Sequence, residues 1–544
     1  MNYKKTLLAL ALTTLFAPGS YAQQRFQRYN CLAPAAEADG TSDDDVSALH
    51  KQRRLPTINP NVWTVNPDKH SIVVLVEFTD RTFSMENPRE RYDSIFNQHG
   101  YNEGRGPGCV ADYFREQSDG LCDITFDIYG PVKVNVSCKG AGTYGTSTLR
   151  NALLQAIDSV KADTTLTDLP PMGTGCDWAG NGRAQQVVFV YAGYGGNENA
   201  SKVKGCIWPN TSSFSSVTLP SGISVSQYTC SSELWSSDRL CGIGTICHEF
   251  THSLGLPDIY PTSSAATEYS VVDEWDLMDG GNFTNNGWCP CGLSALEKML
   301  LGWKTPVELD EPTDINQLKP VSEGGETYIV RHTGNEFYLI ENRQWSGWDL
   351  RLPGHGLLIS HVDYKASAWS SNTVNNDAYH HLYDLVHADN WTYDDWDYYI
   401  GAHPEIYKDG NPYISGHNHH LSTSPYPFTA DDGTVNSELT DTSMPAATMF
   451  NASSQGVLLM SKPITDITET EDGLVSFRFM APQTIVGDAN SDGEVTAADY
   501  VAIAHYILGN APENFDEQAA DVNGDGIINV ADYVAVAHII LSEK

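Results

Sequence analysis

Two histidines and a glutamate stand at spacings that suit metal chemistry: His248-Glu249-Phe250-Thr251-His252, followed by Ser253-Leu254-Gly255-Leu256-Pro257-Asp258. On a helix, residues four apart lie on one face, one turn from each other. His248 and His252 can therefore present two imidazoles to a single metal ion. Glu249 lies beside them, close to the metal without being a ligand, where it can take a proton from an activated water. Gly255 lets the helix end and the chain turn sharply, and Pro257 opposes any continuation. Asp258 comes six residues after His252, so the returning chain can bring its carboxylate to a third coordination position. Three protein ligands leave the fourth position of a tetrahedral zinc open. The bland reading is a core helix with two incidental histidines, and the complete pattern argues against it.

The last 58 residues or so hold a second constellation, repeated with a period of 33 residues. Asp488, Asn490, Asp492, Thr496 and Asp499 place oxygen side chains at positions 1, 3, 5, 9 and 12 of a loop, with Gly493 at the sharp turn of position 6. Asp521, Asn523, Asp525, Asn529 and Asp532 repeat the arrangement around Gly526. The backbone carbonyls of Glu494 and Ile527 would supply the position 7 ligands. This is a Ca²⁺ pattern, and each loop runs into an apolar helix, Tyr500 to Leu508 and Tyr533 to Leu541. The pair resembles a dockerin-type module, with Asp instead of the EF-hand Glu at position 12. The resemblance implies a cohesin-like partner. The duplicated helices could form that partner face, or pack on each other as a calcium-stabilised cap.

The zinc motif resembles the metzincin consensus, in which HExxHxxGxx is followed by His or Asp. Trp275-Asp276-Leu277-Met278-Asp279-Gly280-Gly281 looks like the methionine turn of that group, with Met278 20 residues beyond Asp258. Further stretches resemble the immune inhibitor A-like secreted metallopeptidase family. They are Ile72 to Asp80, Val110 to Ser118, Asp123 to Pro131, Leu339 to Arg343 and Pro353 to Asp363, in that order along the chain. The resemblance covers roughly residues 70 to 480 and implies an extracellular endopeptidase, often made as a zymogen. It makes His248, His252 and Asp258 the Zn²⁺ ligands. Glu249 would be the general base, accepting a proton from the zinc-activated water and delivering it to the leaving amine. A thermolysin-like assignment would instead draw the third ligand from Glu268 or Glu274, 16 and 22 positions after His252. Where some metzincins place a tyrosine two residues after the turn methionine, this chain has Gly280, and spacing selects neither Tyr260 nor Tyr269.

The elements that must position these residues read as follows. Ser71 to Phe78 and Gln186 to Ala192 are short β-branched runs, expected as buried strands. Ala152, Leu153, Ala156, Ile157 and Val160 recur at helical spacing. Strand, helix, strand and then the histidine helix give an α/β zincin-type catalytic domain over residues 66–305. Over 306–480 the texture becomes mostly β, packed on the catalytic region or following it, with Thr327 to Val330 and Phe337 to Ile340 as examples. Residues 486–544 form the small all-α dockerin-like domain.

Residues 1–22 read as a signal peptide: Lys4 and Lys5, a short apolar run, then Ser20-Tyr21-Ala22. Residues 23–65 read as a propeptide, with a disordered arm as the alternative. The expected location is secreted or extracellular, released or attached at the cell surface, with no transmembrane segment. A formal charge of −37 argues against nucleic acid as a partner; protein or peptide substrates fit instead. Ten of the eleven cysteines lie between residues 109 and 291, which reads as a disulfide-rich catalytic region of up to five bridges. Cys31, alone near the start, could keep a zymogen latent through its thiolate, a role Asp39 or Asp43 could fill equally. His380-His381 and His417-Asn418-His419-His420 lack a ligand frame and read as exposed loops. The competing class is a non-catalytic calcium-binding surface or adhesion protein that retains a peptidase-like domain.

Overall fold

A computed structural model describes residues 62–542, apart from residues 102, 104, 143–145, 197–206, 236–238, 264–269, 393–420, 482–484 and 513. The signal segment, Cys31, Asp39, Asp43, Cys206, Glu268, Tyr269 and His417 to His420 therefore lie outside the described residues. The chain divides into two compact units, Met1–Phe479 and Met480–Lys544.

The first unit is organised by a sheet in the order β2-β1-β3-β5-β4, made of β1 (Lys69–Glu77), β2 (Ile124–Lys133), β3 (Val187–Tyr194), β4 (Asn210–Thr218) and β5 (Ser224–Trp235). Strands β2, β1, β3 and β5 are parallel neighbours, and β4 closes the edge antiparallel to β5. Side chains alternate across a strand, and here both faces are covered. Val73, Leu75, Val188 and Val190 enter one buried cluster, whereas Ile72, Val74, Val76, Val187 and Phe189 enter another. That is why β1 and β3 read as continuous apolar runs.

Helix α1 (Ser147–Ala162) covers the second face with Leu149, Ala152, Leu153, Ala156, Ile157 and Val160, all buried. Thr146 caps its start, its hydroxyl oxygen accepting from the Leu149 N–H at 3.2 Å. Helix α2 (Gly244–Leu254) lies in the cluster on the opposite face through Ile246, Cys247, Phe250 and Leu254.

That cluster continues into the β-rich part of the same unit. It includes Ile329 of β6 (Thr327–Arg331), Phe337 and Leu339 of β7 (Glu336–Arg343), and Leu358 and Val362 of β8 (Gly356–Asp363). These strands are antiparallel neighbours. A buried ion pair helps join the two parts. Arg343 donates from Nε and NH2 to both Asp349 oxygens at 2.8 Å, and from NH2 to the Gly292 carbonyl at 3.2 Å.

The expectation of a disulfide-rich catalytic region has to be corrected, because no disulfide joins two of the described cysteines. Cys109, Cys122, Cys247 and Cys291 are packed in one core cluster, and Cys138, Cys176 and Cys230 in the one across the sheet. They serve as small apolar residues. Burial pushes the Cys109 and Cys289 thiols up to about 12, which disfavours the thiolate needed for exchange.

In the second unit the described elements are helices α3 (Ala497–Ile507), α4 (Glu517–Ala520) and α5 (Val530–Ser542). Ala489, Ala502, Ile503, Ala520 and Val536 form its small core. Tyr500 and Tyr533, one repeat apart, stack at 3.8 Å. No described helix of the chain is long and apolar enough to cross a membrane.

Candidate metal centre

Every residue of α2 is buried, so its direction is set on all sides. Phe250 packs against Phe114, Phe126 and Trp178 with ring centroids 4.8, 5.8 and 6.2 Å away. At the start of the helix, a Cβ on Gly244 would overlap the Asn282 carbonyl oxygen, so backbone meets backbone there. At the end, Gly255 takes the left-handed conformation with φ 112°, and its N–H reaches the His252 carbonyl at 2.9 Å. A residue with a Cβ is strained in that region. The reversal carries the chain back past its own last turn.

Asp258 thereby lands against both histidines. Its Oδ1 is 3.3 Å from His248 Nε2 and 3.1 Å from His252 Nε2, and all three residues are buried. The other ring nitrogens are committed. His248 Nδ1 donates to the Leu277 carbonyl and His252 Nδ1 to the Leu256 carbonyl, each at 2.8 Å. A carbonyl can only accept, so each Nδ1 carries a proton, and a neutral ring in this orientation offers its Nε2 lone pair to the centre. His252 Nε2 and Asp258 Oδ1 are buried with no hydrogen-bond partner, which is costly unless something else satisfies them. Bonds of about 2.1 Å at tetrahedral angles would hold ligand atoms about 3.4 Å apart, close to the spacing found. The three residues therefore fit a tetrahedral metal ion. Glu274, the alternative ligand within the described residues, is not part of this cluster.

Glu249 is also buried, and Thr211 of edge strand β4 holds it: the hydroxyl lies 2.6 Å from the Glu249 carbonyl and 3.1 Å from Oε2. Opposite Thr211 in the register, Thr229 of β5 donates to Gln186. Nothing in the spacing of the motif pointed to Thr211, which lies 38 residues earlier in the chain.

Met278 is fully buried in the turn that supplies the Leu277 carbonyl, and its own carbonyl accepts from the Ile259 N–H at 2.9 Å. The turn is thus bonded to the helix and to the loop that carries Asp258. At Gly280 a Cβ would overlap Asp273 Oδ1, which leaves no room for a tyrosine in this conformation. Tyr260 instead stacks on His248, with centroids 6.4 Å apart and planes at 12°.

In the C-terminal unit Asp488, Asp492 and Asp499 converge. The two loops are wired alike. Asp488 Oδ2 accepts from the Gly493 N–H and Asp521 Oδ2 from the Gly526 N–H, both at 2.8 Å. Asn490 and Asn523 each accept from the backbone N–H two residues on at 2.9 Å. Asp499 accepts from the Asn490 and Thr496 N–H groups, as Asp532 does from those of Asn523 and Asn529. Glu494 and Ile527 are each held in these turns by the position 5 carboxylate: Asp492 accepts from the Glu494 N–H and Asp525 from that of Ile527. The Ile527 carbonyl accepts from the Asn529 side chain at 2.8 Å.

Comparison with known families bears on both centres. Residues 202–304, which hold α2, Asp258 and Met278, match the immune inhibitor A peptidase M6 catalytic domain. Residues 486–541 match the dockerin type I domain. These matches support an immune inhibitor A-like peptidase with a dockerin module. No curated protein matches the chain. The M6 match indicates a peptidase, and the dockerin match a calcium-binding module of the kind that binds cohesins.

Proposed function

We propose that this protein is a secreted, zinc-dependent endopeptidase acting on extracellular proteins or peptides, with a calcium-loaded C-terminal module that docks a cohesin-like partner. The convergence of His248 Nε2, His252 Nε2 and Asp258 Oδ1 beside a buried glutamate carries the reading. It sits within the segment matching a peptidase domain. Two neutral imidazoles and one carboxylate are a donor set suited to Zn²⁺. When bound, zinc supplies Lewis-acid polarisation of a carbonyl and acidifies water.

The chain's own residues supply the rest. The Leu277 and Leu256 carbonyls fix both ring tautomers, and Asp258 adds one negative charge. Glu249, held by Thr211, is the general base: it takes a proton from the attacking water and returns it to the leaving amine. The calcium ligands would be Asp488, Asn490, Asp492, Glu494, Thr496 and Asp499, with Asp521, Asn523, Asp525, Ile527, Asn529 and Asp532 in the second loop.

The test is cleavage of an unfolded protein substrate by full-length protein and by Glu249→Gln. Loss of a general base should lower the rate by about 10²- to 10⁴-fold, with zinc uptake unchanged. Cleavage retained in the variant would exclude this mechanism, and no cleavage by either zinc-loaded protein would favour a surface protein that has lost activity.

A further inference from the structure

The carboxylate of Asp258 is gripped from the β-rich part of the chain. Asn372 follows the short helix α6 (Ala366–Ser370), is 4% exposed, and adopts φ 57°. Asparagine tolerates that left-handed conformation better than most residues. Its side-chain amide makes two bonds of 2.7 Å to one residue: Oδ1 accepts from the Asp258 N–H, and Nδ2 donates to Asp258 Oδ2. Donor and acceptor on Asp258 fix which way the amide faces. One carboxylate oxygen is thus occupied, and the other, Oδ1, is left for the two histidines.

The neighbouring residues hold the same loop by other atoms. Thr262 Oγ1 donates to the Asn372 carbonyl at 2.6 Å, and Asn376 Oδ1 accepts from the Thr262 and Ser263 N–H groups at 2.7 and 3.0 Å. Asn375 Nδ2 donates to the Ile259 carbonyl at 3.0 Å. Those bonds anchor the backbone, whereas Asn372 alone of the three reaches the ligand carboxylate through these bonds.

We propose that Asn372 is a positioning residue for the metal centre, holding Asp258 so that a single oxygen faces the ion. This rests on the zinc-site reading above. A carboxylate free to rotate can bind through either or both oxygens, and ordering it at the moment of binding costs affinity. The metal centre is then completed by a segment 114 residues beyond its last ligand.

The full-length protein, with calcium present to occupy the C-terminal loops, can be stripped of zinc and titrated against a chromophoric competitor. The same protein loaded with Co²⁺ reports ligand geometry through its visible absorption. Asn372→Gly keeps the left-handed backbone and loses both side-chain bonds; Asn372→Asp keeps an acceptor for the Asp258 N–H and loses the donor. Both should bind zinc about 10- to 100-fold more weakly, with altered Co²⁺ bands. A role confined to anchoring the loop would lower the melting temperature and leave both metal readouts at wild-type values, which would overturn the inference. If the glycine variant does not fold, the aspartate variant decides by the same two readouts. Wild-type protein that takes up no zinc would overturn the zinc-site reading itself, a distinguishable failure.

Discussion

Replacing Glu336 by glutamine should reveal a carboxylate whose contribution to stability drains away in acid. Glu336 opens β7 and is buried. Burial alone would push its carboxyl up, but four donors outweigh it. Oε1 accepts from His361 Nε2 and the Phe450 N–H at 2.7 Å, and Oε2 from the Asn451 N–H and side chain at 2.9 Å. Together they hold the group down to about 2, against an ordinary 4.5. A carboxyl depressed by folding stabilises the protein fully above its unfolded value, and loses that effect as pH falls through the folded value. A gap of this size corresponds to about 3 kcal/mol at pH 5 and about 1.5 kcal/mol at pH 3. Glutamine cannot ionise, and the fixed cost of turning an amide toward four donors cancels in the comparison between pH values. Urea unfolding of both proteins, followed by tryptophan fluorescence, should therefore show their stability gap shrinking by about 1.5–2 kcal/mol between pH 5 and pH 3. A gap that stays constant or widens would refute the reasoning.

Three further outcomes follow from the same geometry. Arg343→Met should destabilise the first unit by about 3–5 kcal/mol, because Asp349 and Glu341 are left buried without their counter-charge; urea midpoints measure this, and Arg343→Met with Asp349→Leu should recover part of the loss. Thr211→Val removes the hydroxyl that lies 2.6 Å from the Glu249 carbonyl and 3.1 Å from Oε2, and loss of that hydrogen bond should slow peptide cleavage about 2- to 10-fold while zinc uptake stays unchanged. Asp499→Ala removes the carboxylate that ties the start of the first calcium loop to its end, so calorimetry should show calcium affinity at that loop falling at least about tenfold, with the second loop retaining its own.

What could be read from the sequence was local. The runs at Ser71 and Gln186 became β1 and β3 because β-branched residues with both faces buried leave few alternatives. The helix around Arg150 followed from its spacing, and the repeated loops from oxygen-bearing residues at fixed offsets. Edge strand β4 escaped notice, since Asn210–Thr218 is mostly serine and threonine and shows no apolar run. A count of cysteines carries no information on pairing, which depends on the face of the sheet each thiol meets: Cys109, Cys122, Cys247 and Cys291 lie in one cluster and Cys138, Cys176 and Cys230 in the other.

The candidate metal centre divides along the same line. His248, His252 and Gly255 act within one helix and its exit, so a span of 11 residues from His248 to Asp258 was enough to suggest a site. The direction in which Asp258 points is settled elsewhere. Gly255 returns the chain, but a returning loop can present a carboxylate through either oxygen. The choice is made by Asn372, and the orientation of Glu249 by Thr211, residues 114 and 38 positions away from the groups they hold. Neither residue type is unusual in a sequence, and neither contact has a local period that could betray it. The motif names the atoms that can bind a metal; the two distant segments determine how those atoms face it. Substitutions in those segments should therefore change affinity and rate while leaving every residue of the motif in place.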